Sequence, residues 1–99
     1  MNGNKIHKLV VACDAGVGSS VMLASQLRKE LSRCRVTVEL APVTSIPADA
    51  DVVLCHAGLA ARARSGAPGM PVVTVQLLLG DPAVTRLVTA IKKGDDVAA

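Results

Sequence analysis

The sequence predicts an α/β fold of three layers, with a four-stranded parallel sheet flanked by helices. Short runs such as Leu9-Val10-Val11-Ala12 and Val52-Val53-Leu54-Cys55 lack the polar alternation of a half-exposed strand, so they read as strands buried on both faces. Segments with helical periodicity lie between these runs, an alternation that puts a parallel sheet between helical layers. The chain has 99 residues, 51% hydrophobic and 19% charged, which suits one core. We expect one domain over residues 1–99, ordered from about 6 to 93.

The first strand is expected over His7 to Ala12, ahead of a Gly-containing turn. Ser19 to Arg33 holds neither Gly nor Pro, and Leu23, Leu27 and Leu31 recur at a helical interval beside Ala24, an amphipathic helix. Val36 to Leu40 reads as the second strand, closed by Pro42. Ser, Pro and Asp residues between Val43 and Asp51 mark a loop with room for a short turn. Asp51 to His56 is the third strand, Leu59 to Arg64 a short helix, and Ser65 to Pro71 a loop. Val72 to Val75 forms the fourth strand. Asp81-Pro82 then supplies an N-cap and a first-turn proline for a last helix, whose Val84, Leu87, Val88 and Ile91 share one face to about Lys93.

Composition excludes several functions. There is no Phe, Tyr or Trp, which removes single-strand nucleic-acid binding by aromatic stacking. Eleven basic against eight acidic residues leave a net charge of only +3, in clusters too short for a nucleic-acid tract. Mean hydropathy is +0.45, yet every apolar run breaks well before the roughly 18 residues of a membrane span. Met1 to Lys5 shows no secretory signal, and the chain reads as soluble and cytoplasmic. Cys13, Cys34 and Cys55 have neither CxxC nor zinc-site spacing, so no metal and no disulfide framework is expected.

The stretch Cys13-Asp14-Ala15-Gly16-Val17-Gly18-Ser19-Ser20 joins the first strand to the first helix at the sheet's carboxyl edge, where open α/β folds bind ligands. Gly16 and Gly18 let backbone amides turn inward, Ser19 and Ser20 add hydroxyls, and the helix start adds partial positive charge. These features make an anion cradle, and they favour the thiolate of Cys13 as a nucleophile toward phosphorus. A dinucleotide fingerprint fits poorly, because Val21 stands where a third Gly or Ala belongs, although Glu39 sits where a ribose acid would. A nucleotide P-loop needs a Lys that the loop lacks. Low-molecular-weight cysteine phosphatases share the layout but carry Arg six residues after Cys, and that position here is Ser19. Without a guanidinium in the loop, hydrolysis should be slow. Asp81-Pro82 resembles the general-acid loop of those enzymes, but helix capping accounts for it more simply.

Cys13-Asp14-Ala15-Gly16-Val17-Gly18-Ser19-Ser20, followed by Met22, Ala24 and Leu27-Arg28-Lys29, resembles the IIB component of a bacterial sugar phosphotransferase system, most closely the mannitol type. Asp51 to His56, Leu59 and Arg62-Ala63 extend the resemblance to roughly residues 7 to 92. Lactose-, ascorbate- and galactitol-type components are the wider match. The resemblance implies the fold shared by low-molecular-weight phosphatases and these IIB components, a four-stranded parallel sheet between helices. It further implies a phosphocysteine at Cys13, with Asp14 to Ser20 holding the group. The phosphoryl would come from a phosphohistidine on a IIA partner and pass to a sugar in the membrane IIC partner. The chain would meet the membrane only through IIC and use no cofactor. After His56 this sequence has Ala57-Gly58 where the mannitol-type pattern has a basic and then an acidic residue. The alternatives are a phosphatase or arsenate reductase acting alone, and a non-catalytic module whose loop binds an anion to regulate a partner.

His56 ends the third strand at the same edge as Cys13, placed either to bond a phosphoryl group or to act as a satisfied structural side chain. Asp14 suits an Asx turn or repulsion of a neighbouring phosphoryl. Cys34 and Cys55 read as an incidental thiol and as core filling, and His7 as surface. Arg28, Lys29, Arg33, Arg62 and Arg64 read as a solvated face with scope for steering a partner. Val17 and Met22 are placed either in the core or on an apolar rim.

Overall fold

The computed structural model describes residues 3–14 and 18–94. Its strands are β1 (Lys8–Cys13), β2 (Thr37–Pro42), β3 (Val52–His56) and β4 (Val72–Val75), and its helices α1 (Gly18–Glu30), α2 (Ala60–Gly66) and α3 (Pro82–Lys93). The strands form one sheet in the order β2-β1-β3-β4, and every pairing is parallel. This is the expected α/β fold with a four-stranded parallel sheet.

Burial explains the layering. Leu9, Val11, Val52, Leu54 and Val75 point to one face, where they meet Leu23, Ala24 and Leu27 of α1 and Val84, Leu87, Val88 and Ile91 of α3. Ala12, Val53 and Cys55 point to the other, against Ala63 of α2 and Val43. Both sheet faces are therefore dry, and the continuous Val/Leu runs follow from that. No aromatic ring is present, so the interior is filled by branched side chains in small interlocking layers.

Several boundaries move from their sequence positions. α1 begins at Gly18 and ends at Glu30, and turns carry the chain on through Leu31, which stays buried. β2 runs from Thr37 through Pro42 rather than stopping at Leu40. Pro42 fits because it is the strand's last residue and pairs with Cys13 on one side only, so its missing N–H breaks no ladder. The third strand starts at Val52, one residue after Asp51, whose carboxylate accepts from the amides of His7 and Lys8. α2 is Ala60–Gly66, set one to two residues later than the expected Leu59 to Arg64. Turns at Pro42–Ser45 and Pro47–Ala50 occupy the loop expected there. At the amino end, Gly3–Lys5 forms one 3₁₀ turn, and Gly3 lies so close to α3 that an added Cβ would strike the Ala90 carbonyl.

Asp81 caps α3 as the sequence implies, and does more. One carboxylate oxygen accepts from the Ala83 amide at 2.8 Å. The other accepts from the amides of Gln76 at 2.8 Å and Leu77 at 3.1 Å. Those three amides, Ala83 first, hold its carboxyl below the usual aspartate range. Gly94 closes the helix in the left-handed conformation at φ 77°, where glycine meets no Cβ penalty.

Two outcomes are expected. Leu54 is fully buried on the central strand β3, and Leu54→Ala should cost about 2–5 kcal/mol in urea unfolding, whereas Met22→Ala on the surface should stay within about 0.5 kcal/mol. Because the folded pKa of Asp81 is lowered, its stabilisation is complete above the ordinary aspartate value of about 4 and is lost as pH falls through the lower folded value. The stability gap between wild type and Asp81→Asn should accordingly be constant from neutrality to about pH 5 and shrink below about pH 4. A gap independent of pH would contradict that capping role.

Candidate functional site

The sheet winds one way from β1 to β2 and the other way through β3 to β4, so the winding reverses between β1 and β3. At such a switch point the connections leave in opposite directions and open a crevice beyond the carboxyl ends of the strands. A cleft of about 230 Å³ occupies this place, lined by Ala12, Cys13, Asp14, Ser20, His56, Leu59 and Leu78. Cys13, Asp14, Ser20 and His56, all singled out from the sequence, are thus brought together. Gly18 and Ser19 lie exposed in the first turn of α1. Ala15, Gly16 and Val17, the middle of the expected phosphate loop, lie outside the described residues.

Cys13 is the last residue of β1 and half-buried. Its carbonyl accepts from the Val43 amide at 2.9 Å, and its sulfur lies 3.7 Å from the Ala41 carbonyl oxygen. The backbone is thereby fixed on the β2 side while the thiol borders the cleft. Ser20, 1% exposed, brings the first turn of α1 to the same cleft, so the amino end of that helix and its partial positive charge face the Cys13 neighbourhood. Cys55 is fully buried, and that burial pushes its thiol up; Cys34 packs against the main core. Neither lines the cleft.

Both ring nitrogens of His56 have backbone partners. Its Nδ1 accepts from the Gly58 amide at 3.0 Å, which assigns the proton to Nε2, and Nε2 donates to the Gln76 carbonyl at 3.0 Å. Both ring nitrogens are committed to backbone, and the histidine is a satisfied structural side chain at the cleft wall. Gly58 has a local reason here, since an added Cβ would stand 3.2 Å from Nδ1. The link continues through Gln76, whose amide is held by Asp81, so β3 is tied to the segment carrying Leu78. With both oxygens of Asp81 given to amides, this carboxylate is a cap and not a poised general acid.

Two arginines depart from the solvated-face expectation. Arg28 of α1 donates from Nε to the Val38 carbonyl at 3.1 Å. Arg62 of α2 places Nη1 3.6 Å from Asp14 Oδ2, bringing a guanidinium to the residue next to Cys13. The sequence held no direct signal for that approach, because Arg62 lies 48 residues further along the chain and meets Asp14 only through the sheet. Met22, 59% exposed, and Val21, 55% exposed, stand on the outer side of α1, and Leu77 and Leu79 are exposed beyond β4. Met22 is therefore exposed and not part of the core; Val17 lies outside the described residues. Among the described residues no group of three His, Cys, Asp or Glu is arranged to hold a metal ion, and no helix is long and apolar enough to cross a membrane.

Residues 8–90 match the family model described as PTS system, Lactose/Cellobiose specific IIB subunit. The chain is also 36% identical over 91 residues to a PTS system mannitol-specific EIICB component of Geobacillus stearothermophilus, covering 90% of this chain and 19% of that protein. It is 32% identical to the mannitol-specific EIICB component of Bacillus subtilis, covering 94% of this chain and 20% of the relative. With the mannitol-specific EIICBA component of Vibrio cholerae it shares 39% identity, over 87% of this chain and 14% of the relative. The chain thus spans a fifth or less of the length of these relatives. The parallel sheet, the Cys-headed loop at its switch point and the match across β1 to α3 together show that the chain belongs to the IIB family of sugar phosphotransferase systems.

Proposed function

We propose that residues 1–99 form one IIB unit, a phosphotransferase component that carries a phosphoryl group on Cys13. The donor is a phosphohistidine of a IIA partner, and the acceptor is a sugar or sugar alcohol, mannitol-like, bound by a membrane IIC partner. The observation that carries this reading is the position of Cys13: the one cysteine at the switch-point cleft, beside the first turn of α1. The relatives' names add mannitol and a IIC part joined to IIB, which favours a mannitol-like substrate and work at the cytoplasmic face of a membrane.

In the first step the Cys13 thiolate attacks phosphorus, an S–P bond forms, and the P–N bond breaks with its electron pair returning to the donor imidazole. In the second a sugar hydroxyl oxygen attacks the same phosphorus. The S–P bond then breaks, its pair returns to sulfur, and the hydroxyl proton leaves to a base of the partner or to water. Amides and hydroxyls of Asp14 to Ser20 hold the three phosphoryl oxygens through both steps. No metal or organic cofactor enters this scheme.

A cysteine phosphatase or arsenate reductase acting alone would want a loop guanidinium and a free general acid. Position 19 is serine, and Asp81 is bound to three amides, so turnover by water is disfavoured. A purely regulatory anion-binding module would leave the thiol without a task.

The expected outcome is a single phosphorylated residue, Cys13, after incubation with the general phosphorelay proteins, a mannitol-type IIA domain and phosphoenolpyruvate, read by mass mapping. Cys13→Ser should abolish transfer to sugar, whereas Cys34→Ser and Cys55→Ser should keep the label. Label on a histidine alone, or fast hydrolysis of aryl phosphates by the isolated chain, would overturn the proposal.

A further inference from the structure

We propose that Arg62 is the counter-ion of the phosphoryl group on Cys13, exchanging its partner Asp14 for the phosphoryl oxygens when Cys13 is modified. This rests on the phosphocysteine reading above and adds to it a binding residue that lies outside the loop.

The geometry begins with an ion pair beside the cleft, Arg62 Nη1 to Asp14 Oδ2 at 3.6 Å, with side chains 51% and 62% exposed. An exposed pair at that distance is weak, so it yields easily to a stronger partner. A phosphoryl group on the adjacent residue is such a partner. It carries close to two negative charges and offers three acceptor oxygens, which a planar guanidinium can take two at a time. Asp14 would repel the same group from next door. Transfer of the guanidinium from carboxylate to phosphoryl turns the dominant local interaction from repulsion to attraction.

Two other ionisable side chains of this region are already engaged. His56 gives both nitrogens to backbone, and Asp81 gives both oxygens to amides. Arg64, on the same helix and also exposed, does not line the cleft. Ala60 and Ala63, buried under α2, bring that helix close to the sheet and leave Arg62 at its exposed side. The guanidinium missing at position 19 is thus supplied from a different element, on a long flexible stem and not within the loop. It neutralises the held group without the fixed in-loop clamp that hydrolytic sites use.

The test is phosphorus NMR of the intact chain phosphorylated by a mannitol-type IIA domain, comparing wild type with R62Q, R62K and R64Q. In R62Q the midpoint of the phosphorus shift titration should move to higher pH, since a positive charge beside the dianion is gone. The equilibrium constant for loading from IIA should fall about five-fold. R62K should lie between R62Q and wild type, and R64Q should match wild type. If R62Q titrates and loads as R64Q does, the inference is overturned while the carrier reading stands. If wild type gives no phosphocysteine signal, both are overturned.

Discussion

Everything at the candidate site depends on β1 being hydrogen-bonded to a parallel neighbour on each side. Parallel partners cannot be joined by a hairpin, so every connection has to cross a face of the sheet and all strands end at one edge. Burial of Leu9 and Val11 on one face and of Val10 and Ala12 on the other commits both faces to a covering layer. The chain meets this by winding first to β2 and then back past β1 to β3. The crevice between β1 and β3 is a by-product of that reversal, and Cys13 borders it because it is where β1 runs out. The thiol is thus placed by main-chain pairing, and a flexible side chain need not find its own position.

What the sequence disclosed and what it withheld divide along physical lines. β1, β3, β4 and α3 were legible because burial on both faces writes continuous Val/Leu runs, and because Asp81-Pro82 and Gly94 are strong end signals. β2 runs further than its sequence suggests because proline reads as a stop, yet an edge strand ending at its proline loses no hydrogen bond. Placement was legible where it is local, as in the strand-end positions of Cys13 and His56. It was illegible where it depends on partners brought in by the fold. The pairing of Arg62 with Asp14 and the engagement of both His56 nitrogens arise between residues far apart or through turn geometry, and neither leaves a periodicity or spacing to read.

The absence of aromatic side chains bears on the site as well as on the core. With small and unbranched or branched aliphatic side chains between the layers, the helices lie near the sheet, and α2 is the extreme case, resting on Ala60 and Ala63. A bulkier contact there would lift α2 and carry Arg62 away from Asp14. The small residues under α2 and the charge above it belong to one arrangement, in which packing sets how far the guanidinium reaches.

The distribution of polar groups around the cleft also fits the division of labour in a relay. The nearby imidazole and carboxylate with acid–base capacity, His56 and Asp81, are both spent on backbone hydrogen bonds that hold the β3 end and the segment after β4 in place. A site so arranged has little means of its own for moving protons onto a leaving group or off an attacking water. In the carrier reading it needs none: the incoming group leaves an imidazole of one partner, and the outgoing group departs to a hydroxyl held by another, so both proton problems belong to the partners. What remains for this chain is electrostatic, namely to hold a dianion firmly enough to survive diffusion between two encounters and loosely enough to give it up. A helix start on one side and an exchangeable guanidinium on the other meet those two demands, because the fixed dipole supplies the holding and the mobile charge can be withdrawn when a competing anion on the partner approaches.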